Sequence, residues 1–235
     1  MPAAAQTIRA LPDQTSRIRL SNHDINHLIC EGGDIEDVKF SQEKGLAVEK
    51  GGADAWIKFL VRQIDDAGQV TRSYVTQPSE FFVTCNGATY PLYAEPSDIP
   101  AQTVVLAPGA RQRAKANSDL LSPLADEDRA VSITLAILGN RIPASFSEVA
   151  PSDTPLQLAA LSAVVIKERR RLSIEGSGLS ASEYWVRATS PVTLEERAFL
   201  DPALGEHIFS VTLDRSRLAI GESARLIILR REAGQ

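Results

Sequence analysis

No apolar run in this chain comes near the roughly 20 residues that a membrane-spanning helix needs, so no helical crossing of a bilayer is predicted. Histidine is scarce, with 3 in 235 residues. A hydrolase built on histidine would therefore have to use His23, His27 or His207. The G-x-S-x-G spacing of a nucleophile elbow is missing around Gly176-Ser177-Gly178. Neither G-x-G-x-x-G nor G-x-x-x-x-G-K-S occurs, which leaves no phosphate cradle and no expected cofactor. Basic charge is not in excess either: 25 Lys and Arg stand against 30 Asp and Glu, a net charge of −5. That balance argues against a general nucleic-acid binder, whose footprint is strongly basic. The absences make an enzyme the weaker reading.

What is present is a soluble-type composition, 43% hydrophobic and 23% charged, in a chain long enough for one large core or two modest ones. Residues 1–15 carry Ala, Pro and Gln without periodicity and read as a flexible lead-in. From Arg17 the pattern becomes short strands with turn punctuation. Arg17-Ile18-Arg19-Leu20 alternates polar and apolar, and Trp56-Ile57-Lys58-Phe59-Leu60-Val61 is dense in β-formers. Asp65-Asp66-Ala67-Gly68 supplies a turn, with a returning strand from Val70 to Val75. Phe81-Phe82-Val83-Thr84-Cys85 and Ala88-Thr89-Tyr90-Pro91-Leu92 flank Asn86-Gly87, the dipeptide that best tolerates the paired positive φ angles of a type I′ turn. A β-hairpin is predicted there, followed by an extended segment over 95–106 held open by two prolines. Residues 16–107 thus read as an N-terminal β-domain, a sandwich or small barrel.

The next segment differs. Residues 108–150 read as a polar linker, starting at Pro108-Gly109, with one amphipathic helix over about 125–138. Asp126-Glu127-Asp128 at its start and Gly139 past its end match the helix dipole and the C-cap preference. Val131, Leu135 and Leu138, with Thr134 beside them, share one face at helical spacing, so that face is expected to pack inside the protein. Residues 151–235 return to strands: 163–166, 172–174, 184–189, 192–199 and 208–213. A strand, a tight turn at Gly221 and a last strand close the chain. The fold class predicted is all-β, two sandwich-like domains joined by a polar linker with one short helix.

Three groups of residues invite a functional reading. His23, Asp24 and His27, with Glu31 close behind, could hold a metal if they lay on a helix. Their setting is a strand entering a turn, where Asn22, Asp24 and Asn26 satisfy backbone groups, so no metal site is expected. His207 beside Glu206 is a weak catalytic pair, and no catalytic residue is assigned. Lys167-Glu168-Arg169-Arg170-Arg171 is the sharpest charge feature. It reads as a solvated strand end or hairpin loop that discourages edge pairing. The functional alternative makes Lys167, Arg169, Arg170 and Arg171 a partner face for an acidic neighbour subunit or anionic lipid. Tyr184 and Trp185 could belong to the same interface, although a Trp on a sandwich strand is more often core.

The order of pieces over 20–29, Gly32-Gly33-Asp34-Ile35, Glu43-Lys44-Gly45-Leu46, the Asn86-Gly87 hairpin and the proline-held segment resembles the TraK family, periplasmic outer-membrane-ring subunits of F-type conjugative type IV secretion machines. Ser21, Asp24 and Asn26 match that family's Ser-x-x-Asp-x-Asn-like turn. The resemblance implies an architectural protein without an active site, repeated around a homo-oligomeric ring in the periplasm and peripheral to the outer membrane. It implies two partners, a TraV-like outer-membrane lipoprotein and a TraB-like, TonB-related protein anchored in the inner membrane, with no direct contact to nucleic acid. Export would make Ala3-Ala4-Ala5-Gln6 what remains around a small-residue cleavage site; taken at face value the N-terminus has no signal features. Cys30 and Cys85, at strand ends of the N-terminal β-domain, would then pair or stay two separate buried thiols, and spacing does not decide between these. The competing class is a soluble periplasmic binding or chaperone-like β-sandwich module.

Overall fold

The computed structural model describes residues 7–12, 14–66 and 69–232. The chain divides into two compact units, residues 1–109 and 110–235. Among the described residues eleven strands build the first: β1 (Thr7–Ala10), β2 (Ser16–Ser21), β3 (Asn26–Cys30), β4 (Ile35–Phe40), β5 (Leu46–Gly51), β6 (Asp54–Phe59), β7 (Arg62–Asp66), β8 (Gln69–Ser73), β9 (Ser79–Cys85), β10 (Ala88–Ser97) and β11 (Thr103–Leu106). They form a five-stranded sheet in the order β1-β11-β3-β6-β5 and a four-stranded sheet in the order β2-β10-β9-β4, with β7 and β8 as a separate ribbon.

Alternation fixes which residues meet between those sheets. β6 buries Ala55, Ile57 and Phe59 and turns Trp56 and Lys58 outward; β9 buries Phe81, Val83 and Cys85 and turns out Glu80 and Phe82. The inward residues of both sheets make one core with Leu28, Tyr90, Leu92 and Val104. Each large side chain removed from water there contributes about 1.5–3 kcal/mol. The β9–β10 hairpin turns at Asn86 (φ 47°) and Gly87 (φ 71°), the paired left-handed residues a type I′ turn requires.

One expectation changes in this unit. Within the expected flexible lead-in, Thr7–Ala10 is a strand paired in parallel with β11. A four-residue strand whose partner lies some 95 residues onward leaves no local signal. Residues 1–6, with the proposed cleavage remnant, and Ala67-Gly68 of the predicted turn lie outside the described residues.

The second unit contains α1 (Ala110–Leu121), α2 (Asp126–Leu138) and seven strands: β12 (Ser147–Val149), β13 (Val164–Ile174), β14 (Leu179–Ala188), β15 (Val192–Thr193), β16 (Ile208–Leu213), β17 (Arg217–Leu218) and β18 (Ser223–Arg231). An antiparallel sheet runs β12-β13-β14-β18-β16. Its inner strand β18 buries Leu226 and Ile228 on one face and Ile227 and Leu229 on the other, so both faces are covered. Leu121, Ala130, Ile133 and Ile137 of the helices lie over Leu172, Ala181, Ile227 and Leu229. Leu194, Phe199, Leu204 and Leu218 lie over Ile166, Tyr184, Leu226 and Ile228.

The chain is all-β in its majority and divides into two units, as predicted; in the second unit the five-stranded sheet has helices over one face and the small β15-β17 sheet with its flanking turns over the other. The linker expected over 108–150 is largely part of that unit. Residues 110–121 are helical because Ala, Arg, Gln and Lys favour helix and because α1 is tied down. Asn117 Nδ2 donates to the carbonyls of Glu175 (3.0 Å) and Ser145 (3.3 Å). Gly176 (φ 77°) lets α1 come close, since a Cβ there would stand 2.9 Å from the Cβ of Ala114. The expected strand over 192–199 is two residues of β15 followed by a three-ten turn at Glu196–Phe199. Along α2 the expected face holds for Thr134, which is buried, and Leu138, which packs against the core, but not for Val131 and Leu135. Ala130, Ile133, Thr134 and Ile137 are buried, while Val131 and Leu135 are 56% and 60% exposed. Two apolar stripes compete on this helix, and the sheet takes the one that carries Ile133 and Ile137.

Candidate functional site

The basic run lies in the middle of β13, not at a strand end or in a hairpin loop. A register shift between Glu168 and Arg170, where β13 pairs with β14, adds one residue and re-aims the side chains around it. Arg169 and Arg170 both reach Glu183 of β14, a carboxylate that is 1% exposed. Arg169 Nη1 donates to Oε1 at 2.6 Å, and Arg170 Nη1 stands 3.7 Å from Oε2. Arg225 of β18 donates to the same Oε1 at 2.7 Å and sends its other nitrogens to the carbonyls of Ile137 and Leu138, both at 2.7 Å. The last turn of α2 is therefore capped by a guanidinium that also neutralises Glu183.

Arg171 grips Glu168 on the other face with two hydrogen bonds, 3.0 and 2.7 Å. Burial pushes the Glu168 carboxyl up, and the bonds from Arg171, the Ser152 N–H and Ser182 outweigh it, holding Glu168 below the usual carboxylate range. The same pair raises Arg171. Glu175 repeats the pattern: burial raises it, and Ser147 Oγ–H at 2.6 Å, its own backbone N–H and Arg113 bring it below the ordinary value.

These contacts decide what the six residues expected at a partner face can do. Arg169, Arg170 and Arg171 are ion-paired within the unit, Arg170 also to Glu148 at 3.2 Å. Tyr184 is core, and its hydroxyl accepts from Arg230 at 2.8 Å. Trp185 is partly exposed beneath the Arg169 guanidinium, 5.3 Å from its ring centre. Lys167 remains as an outward cation. The run ties β13 to β14 through Glu183, which Arg225 links to β18 and α2, while Lys167, Arg169 and Arg171 keep part of their surface exposed. The buried acids Glu168 and Glu183 are what the sequence reading missed; a Glu inside an apolar alternating strand beside an Arg run was the available signal.

In the first unit Cys30 of β3 and Cys85 of β9 are bonded across the two sheets, with 5.7 Å between their Cα atoms. The histidines separate. His23 lies in the turn between Asp24 and Asp98, 3.1 Å from each, and His27 faces outward on β3, stacked on Trp56 and 2.7 Å from Asp54. The turn is organised by buried Asn26, whose amide exchanges two 2.9 Å hydrogen bonds with the Ser21 backbone, while Ser21 Oγ accepts from Asp24 N–H at 3.0 Å. Among the described residues no group of three or more His, Cys, Asp or Glu converges as a metal site would require. His207 is an exposed turn residue with φ 52°.

β16 is an edge of its sheet, carries no charge and is half-buried throughout. Asp214 N–H points back to β18, to the Arg225 carbonyl at 3.0 Å. The Leu213 N–H points the other way, to Glu196 Oε1 at 3.0 Å, so by alternation Val211 also presents its N–H on the open side.

Residues 9–115 match the family model of the TraK N-terminal domain, and residues 115–230 match that of the TraK C-terminal domain. A search of the curated proteins found no match. The two matched domains meet within α1, close to the junction at Gly109 between the structural units. Together they cover nearly the whole chain, which therefore belongs to the TraK family, a structural component of bacterial conjugation.

Proposed function

We propose that this protein is a structural subunit of the outer-membrane core complex of a conjugative type IV secretion system, repeated around a ring in the periplasm. The observation that carries the proposal is the match of both TraK domains over residues 9–230. The bond between Cys30 and Cys85 supports it, because disulfides persist in oxidising compartments such as the periplasm. Such a subunit works by surface and symmetry: one patch meets a different patch on the next copy, and the rotation closes. A TraV-like lipoprotein and a TraB-like protein anchored in the inner membrane are its proposed partners. The open edge of β16 offers strand addition, in which an extended segment of a partner continues the sheet.

The test is affinity purification of the tagged, exported chain from detergent-solubilised envelopes of its own host, with mass analysis and negative-stain imaging. A ring of megadalton scale containing a lipoprotein and a TonB-related protein is expected. A lone soluble species in the periplasmic fraction would overturn the proposal.

A further inference from the structure

The outward stripe of α2 has an order of its own. Glu127 and Asp128 stand at its start, Val131 and Leu135 in its middle, and Gly139 at its end. At 100° per residue these positions fall within one third of the helix circumference. The guanidinium of Arg141 folds back over Gly139, close enough that a Cβ on that glycine would meet Arg141 Nε at 3.3 Å. The stripe therefore runs from acid through apolar to base over about 18 Å. Among the described residues Glu127, Asp128 and Arg141 make no ion pair, while Val131 and Leu135 rank among the exposed large hydrophobics.

A stripe of that order is complementary to itself when reversed. We propose that it is a contact between two copies of this chain, α2 against α2 of the second copy, antiparallel about a twofold axis near Ile133. In that arrangement Val131 of each copy meets Leu135 of the other, and Glu127 and Asp128 face Arg141. The helix dipoles oppose, which also favours the pairing. A basic or purely apolar partner would match one end of the stripe and leave the other end unpaired, whereas a second copy satisfies both. The apolar part is small, so the contact is weak and depends on concentration. An isologous contact closes at two copies and cannot propagate around a ring. It therefore belongs to the free chain and stands independently of the ring subunit role.

The purified full chain carries no free cysteine among its described residues, so introduced thiols report their own neighbours. Chains bearing Val131→Cys and chains bearing Leu135→Cys are mixed under mild oxidation, with Ile220→Cys, also strongly exposed, as the control. The mixed Val131–Leu135 dimer is expected to exceed either like-with-like dimer, and the control dimer, at least fivefold. In sedimentation, Glu127→Arg and Arg141→Glu are each expected to weaken self-association about tenfold, and the double exchange to restore it to within twofold. Like-with-like dimers in excess, cross-linking no faster than the control, or a double exchange as weak as either single change would each overturn the twofold contact. None of these results bears on whether the chain enters an envelope complex.

Discussion

Glu183 shows how much of this protein's stability rests on a few side chains. It is a buried carboxylate held by guanidinium groups from β13 and β18. Removing one partner of such a cluster leaves uncompensated buried charge. Glu183→Ala is expected to destabilise the second unit by about 3–5 kcal/mol, read as a fall in the denaturant midpoint. Glu168 makes a pH prediction. Its folded-state pKa lies below the unfolded one, so its contribution is full above the ordinary carboxylate pKa and is lost as pH falls through the depressed value. Wild type should therefore lose more stability between pH 7 and pH 3 than Glu168→Gln does. Equal losses in thermal melts would show that the Arg171 pair contributes nothing. In the first unit, replacing Cys30 and Cys85 by serine opens a loop whose ends are 55 residues apart, and the chain-entropy model puts the cost at about 4 kcal/mol. Urea melts with and without reductant measure it.

At the scale of elements, the helices and the β16 edge carry separate messages. α1 and α2 supply apolar cover for one face of the five-stranded sheet, and α2 shows a second apolar stripe to solvent. β16 has the composition of an inner strand and the position of an outer one, which is the combination that strand addition exploits. Val211→Pro removes an N–H on the open side and leaves the β18 ladder its bonds. Val211 also packs partly against the core, so thermal stability of the free protein should fall modestly, while recovery of a lipoprotein partner from envelopes should drop at least tenfold. Val211→Ala, which loses the same packing but keeps the N–H, should retain that recovery. Undiminished recovery with Val211→Pro would exclude β16 as the place of strand addition.

At the scale of the whole molecule, the division at Gly109 leaves each unit a core of its own. A fragment of residues 110–235 is expected to fold cooperatively by itself. A fragment starting at residue 151 would bare Leu172, Ala181, Ile227 and Leu229, which α1 and α2 cover, and should aggregate on expression. Comparing the two by gel filtration and near-UV circular dichroism checks where the C-terminal unit begins. If both were equally soluble and folded, the helices would be accessories rather than part of that core.

Local chemistry alone determined several parts of this protein. Period-two alternation marks β6 and β9, because adjacent residues of a strand must face opposite sides. Asn86-Gly87 marks its hairpin, because so few residues tolerate two successive left-handed angles. An acidic first turn marks the start of α2, while at its end the left-handed residue is Asn140 (φ 51°) and not Gly139 (φ −78°). The all-β class and the TraK resemblance follow from the order of such pieces. Other features depend on residues far apart in the chain meeting in space. β1 pairs with a strand it cannot sense locally, α1 is held by Glu175 and Gly176, and Cys30 meets Cys85 only because their sheets stack. The Arg169–Arg171 run is ion-paired within its own unit because two buried glutamates lie beside it. Which stripe of α2 is core was likewise a tertiary decision: both stripes are apolar, and only the sheet beneath selects between them.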